Sequence, residues 1–78
     1  MIISVQFKSK FDGKWYGNKY HYLCNFSVKK GDVVRVPTKF GDSEAIVRDV
    51  NIPFYRVDPK IFPLLKQVAG IVEAQDGK

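Results

Sequence analysis

The chain has 78 residues, enough for one domain, and it is 45% hydrophobic and 14% aromatic, too rich in core-forming side chains for a disordered polymer. Its single cysteine, Cys24, allows no disulfide within the chain and fits a reducing compartment. No apolar run approaches the roughly 18 residues of a membrane-spanning helix, so no membrane partner is expected.

The net charge of +5 is unevenly spread. Residues 1–39 hold eight Lys and Arg against Asp12 and Asp32, a net of +6, whereas residues 40–78 come to −1. A clustered positive field suits phosphate or an acidic partner. Lysines on exposed strand faces also keep sheet edges soluble, so the clustering alone does not choose a partner.

From the N-terminus, Ile3, Val5 and Phe7 alternate with Ser4, Gln6 and Lys8, which predicts a half-buried strand over 2–9 and not a signal peptide. Residues 11–14, with Asp12-Gly13, form a turn. A second strand spans 15–23, with a break expected at Gly17-Asn18 and with Tyr20 and Tyr22 on one face, opposite Lys19 and His21. These two strands should pair as a hairpin. Phe26 and Val28 should plug one end of the core before the chain turns through Gly31-Asp32.

Val33, Val34 and Val36 start a third strand over 33–37, and a fourth covers 44–50, with residues 37–43 as the connection. Pro37 has no N–H to give a ladder, so it should end its strand or face an edge. Val47 and Val50 can both point inward only if the strand bulges near Arg48-Asp49. Pro53, Pro59 and Pro63 make 51–63 a loop with one short helical turn starting at Asp58-Pro59, and Pro63 should push Phe62 into extended geometry. Residues 66–74 read as a closing strand, with a helix continuing from Leu64 as the alternative. The predicted fold is therefore all-β or nearly so, a five-stranded SH3-like or OB-like barrel forming a single domain over 1–78. Val5, Phe7, Tyr22, Phe26, Val28, Val34, Val36, Val47 and Val50 should share its core.

Catalytic chemistry finds little material. His21 is the only histidine, no Cys/His cluster exists for a metal, and Ser4, Ser9, Ser27 and Ser43 have no evident base partner. No phosphate-cradling glycine loop occurs. Neither enzymatic activity nor a cofactor is expected. Cys24 reads as a small buried hydrophobe.

Binding chemistry finds more. Lys8, Lys10, Lys14, Trp15, Tyr16 and Lys19 on the first hairpin, and Lys39-Phe40 at the tip of the second, interleave cations with rings; Tyr20 joins them. Cations hold phosphates and rings stack on bases, which is how single-stranded nucleic acid is held. Trp15 and Phe40 are the best candidates for exposed rings, although aromatics in a small β domain commonly belong to the core.

The pattern Tyr20-x-Tyr22, Phe26-x-Val28-x-x-Gly31-Asp32-Val33-Val34-x-Val36-Pro37-Thr38, Gly41, Ala45-x-Val47-x-x-Val50 resembles short, uncharacterised β-barrel proteins of phages and prophages of Gram-positive bacteria. The Gly31–Pro37 segment is also similar to the N-terminal DNA-binding barrel of the bacterial replication-restart helicase, although the two diverge after Pro53. The resemblance implies a phage-encoded protein in the host cytoplasm, with DNA binding by analogy of fold. Two functions follow as expectations: a nucleic-acid-binding barrel in phage DNA metabolism, or an inhibitor or adaptor docking on a host protein through a strand edge or hairpin.

Overall fold

The computed structural model describes residues 1–8 and 11–73, the side chains of Tyr16 and Glu73 excepted. Five strands form one sheet: β1 (Ile2–Lys8), β2 (Trp15–Leu23), β3 (Val33–Thr38), β4 (Gly41–Asp49) and β5 (Gly70–Glu73). Their order across the sheet is β2-β1-β4-β3-β5, and each neighbouring pair is antiparallel. The segment just ahead of β5 then meets the end of β2. The Leu23 N–H donates to the Lys66 carbonyl at 2.9 Å, and the Val68 N–H donates to the Leu23 carbonyl at 2.8 Å. This short parallel bridge, just ahead of β5, rolls the sheet into a small barrel.

The period-two alternation of β1 puts Ile3 and Val5 inside, where both are fully buried. Val34, Val36, Ala45 and Val47 meet them from β3 and β4, with Tyr22, Cys24, Val28 and Val68 completing the cluster. All nine predicted core residues belong to this cluster, Phe7, Phe26 and Val50 as half-buried members packed against it. Cys24 is buried, as expected of a small hydrophobe.

Two bulges bend the sheet. Ser4 pairs with Asp49 while Val5 pairs with Val47, which leaves Arg48 as an extra residue where the two valines require one. Opposite, the two steps from Val5 to Phe7 face four on β2, from Tyr20 to Tyr16, around Gly17-Asn18. Gly17 sits at φ 87°, a region open to glycine. Gln6 joins the two irregularities: Arg48 Nε donates to its Oε1 at 2.7 Å, and its Nε2 donates to the Gly17 carbonyl at 2.8 Å.

Three local expectations need correction. The β3–β4 connection is not a loop over 37–43 but a tight turn at Lys39-Phe40, because the ladder runs on through Pro37–Asp42 to Thr38–Gly41. Pro37 tolerates this because pairing with β5 stops at Arg35, so it lies on a free edge. The Thr38 hydroxyl closes the turn, donating to the Gly41 carbonyl at 2.6 Å and accepting the Phe40 N–H at 3.1 Å, and Gly41 takes φ 103°. Next, Phe62 is not extended: Phe62–Leu64 is a 3-10 turn with Pro63 inside its first turn, where the missing N–H has no partner to lose. A second such turn, Phe54–Arg56, precedes it, so two helical turns replace the one expected to start at Asp58-Pro59, where the Asp58 carboxylate instead accepts the Lys60 N–H at 2.9 Å in a plain turn. Finally, the closing strand starts at Gly70 and not at 66, because residues 66–68 are drawn to the end of β2 instead. Ala74 lies outside the described residues.

Candidate functional site

The β3–β4 turn carries Phe40, 91% exposed, with the Lys39 ammonium 5.6 Å from the ring centroid. Below this tip opens a cavity of about 500 Å³. Phe7 and Tyr20 floor it, packed edge-to-face with centroids 5.5 Å apart. Their placement follows from the bulge at Gly17-Asn18, which shifts the β1–β2 register between Val5 and Phe7. Lys66, Ile61 and Leu64 form the far wall, and Leu64 is strongly exposed. On the near side a second depression of about 380 Å³ lies between Phe7, Lys8, Phe40 and Glu44. A third, smaller one runs along Phe7, Lys8, Asn18 and Tyr20. Phe7 lines all three, so they adjoin around its ring, and we treat them together as an aromatic cleft lined also by Lys8, Lys39 and Lys66.

Trp15 stands at the start of β2, directly opposite Lys8 in the ladder, and is half-buried with the Lys8 ammonium 5.6 Å from its ring centroid. Two cation–ring pairs, Lys8–Trp15 and Lys39–Phe40, thus flank the cleft. Lys14 is exposed in the turn, where its N–H is held by the Asp12 carboxylate at 3.0 Å. The Tyr16 backbone pairs with Phe7, and Lys10 lies outside the described residues.

Lys19 does not join this group. Its ammonium is 3.3 Å from Asp49 Oδ2, and it lines a separate polar pocket. The reason is the alternation of β2, which turns Lys19 away from Tyr20. The same pocket gives Ser4 a partner that the sequence did not suggest: its hydroxyl donates to Asp49 Oδ2 at 2.6 Å. This bond, aided by Lys19 against the desolvation of partial burial, holds the Asp49 carboxyl below its ordinary value.

Phe7, Ile61, Leu64 and Lys66 were missed as site residues. Phe7 read only as core. The available signal for Ile61 and Leu64 was the 61–65 segment, with four large apolar residues around Pro63 and no strand or helix period to bury them all; nothing marked Lys66. No family model, curated protein or solved structure matches the chain.

Proposed function

We propose that this small barrel binds single-stranded nucleic acid in the cleft between the first hairpin and the Lys39-Phe40 turn. The observation that carries the reading is Phe40: a fully presented ring, with a lysine against it, above a floor made of two further rings. An exposed phenylalanine at a hairpin tip gains nothing for the fold and offers a stacking face to a base. Lys8, Lys39 and Lys66 are spaced around the rim to take backbone phosphates, and Trp15 extends the platform. Lys19 is reassigned to its ion pair. A role in phage DNA metabolism enters this proposal only as the expectation raised by the residue pattern of 20–50.

The test is fluorescence anisotropy with a labelled oligothymidine and a matched duplex, each over a range of salt. The single strand should bind more tightly than the duplex. Phe40→Ala should weaken single-strand binding by roughly 1–3 kcal/mol with little change in salt slope. An absence of oligonucleotide binding at low salt would overturn the reading and favour a docked host protein.

A further inference from the structure

The pocket around Lys19 lies beyond the cleft just described, on the other side of β2. Across β2, β1 and β4, His21, Ser4 and Asp49 stand in one row, since Ser4 pairs with His21 on one side and with Asp49 on the other. The chain leaving β4 folds back over this row. The Ile52 N–H donates to the Ile2 carbonyl at 2.9 Å, and Asn51, at φ 51°, makes the left-handed turn that asparagine tolerates better than most residues. The result is a cavity of about 460 Å³ that brings Arg56 to the same wall as Lys19, His21 and Asn51.

Its charge is positive. Asp49 is the sole carboxylate among the described residues that line it, and its Oδ2 is already occupied by the Ser4 hydroxyl and the Lys19 ammonium. Arg56 has no such neutralising partner among its lining neighbours, and Lys30 adds a positive field that acts on Asp49 through space. Lys19, His21, Asn51 and Arg56 line one cavity, and an ammonium, an imidazole, an amide and a guanidinium are a donor set suited to a tetrahedral oxyanion. His21 also lines the aromatic cleft, so the two cavities abut across β2.

We infer that this pocket is a phosphate-binding site formed by Lys19, His21, Asn51 and Arg56. Ser4 and Asp49 are its positioning residues: they hold the Lys19 ammonium against the wall. The phosphate has two sources, the backbone of a strand whose base stacks in the neighbouring cleft, or a free phosphate group. The site itself does not depend on the proposal for that cleft.

The experiment is NMR on the labelled full chain, following the side-chain signals of His21 and Arg56. Inorganic phosphate should move both saturably, and chloride at matched ionic strength should not. Arg56 is exposed, so Arg56→Ala should fold normally and weaken phosphate binding about tenfold or more; Lys19→Ala should weaken it as well. In a second arm, an oligothymidine should move the same signals together with those of Phe7 and Phe40, and Arg56→Ala should then lower the salt slope by roughly 0.7. Phosphate shifts without oligonucleotide shifts at His21 and Arg56 support the site and identify free phosphate as its ligand. Identical responses to phosphate and chloride, with oligonucleotide shifts confined to Phe7 and Phe40, overturn the site and leave the aromatic cleft standing.

Discussion

Ser4 occupies the polar half of an alternating strand, yet it is 2% exposed. Alternation predicts only which face a residue takes. Whether that face is covered depends on a loop some 50 residues away, which no local pattern encodes. Because the buried hydroxyl holds Asp49 ionised, the pair ties stability to acid. The Asp49 carboxyl is lowered in the folded state, so its contribution is present above the ordinary carboxylate value near 3.8 and is lost as pH falls through the folded value. Asp49→Asn should therefore flatten the acid limb of a urea-midpoint profile, and Ser4→Ala should flatten it in part. Tyr22 sets the opposite limb. Burial, with Tyr20 adding to it, pushes its phenol above the ordinary value of 10.0. Its contribution is full below that value and is lost as pH rises through the folded one. Tyr22→Phe gives up the bond to the Pro37 carbonyl at 3.2 Å, roughly 0.5–1.5 kcal/mol, and should remove this part of the alkaline loss in the same assay.

At the scale of elements, the strands were legible wherever core and solvent alternate. The bulge at Arg48 could be read too, because Val47 and Val50 share a face only if one residue drops out of register. What escaped was set by distant partners. Val68 carries a β-branched signal like Ile71 and Val72 of β5, but the end of β2 captures residues 66–68. Phe62 adopts a 3-10 turn because a proline within the first turn of a helix gives up no hydrogen bond. The Gln6 link between the two bulges was invisible for the same reason, since it needs both registers to be known. Gln6→Ala removes both bonds and should cost roughly 1–2 kcal/mol in urea denaturation. It should also weaken oligonucleotide binding, because the bulge at Gly17 places Tyr20 against Phe7. If stability falls while binding is unchanged, the cleft floor does not depend on that bulge.

For the molecule as a whole, the fold redistributes the basic half. Lys19 leaves the group for Asp49, whereas Lys66, from the half with a net charge of −1, returns to the rim when residues 66–68 close the barrel. Lys39 and Phe40 were legible because a short polar turn cannot bury a ring, while Phe7 was hidden by having two roles, half in the core and half in the cleft floor. Among the described residues, the rim holds Lys8, Lys39 and Lys66 against one carboxylate, Glu44, beside Phe7 and Phe40. Three phosphate contacts at the rim contribute roughly −2 to the salt slope of a single strand, at roughly 0.7 per contact, before any contact in the Lys19 pocket. Glu44 pairs with Arg35 across an exposed stretch of ladder and is itself exposed, so replacing it should leave the fold intact. Glu44→Lys should then tighten oligothymidine binding several-fold at low salt and steepen the slope by up to about 0.7, with the gain vanishing at high salt. A docked acidic protein would also bind Glu44→Lys more tightly, but without the linear dependence on log salt that counterion release from a nucleic acid imposes. Anisotropy measured against salt for the wild type and Glu44→Lys separates the two partners, and a slope that does not change on adding this charge would mean that phosphates do not pass the Phe7–Phe40 side of the cleft.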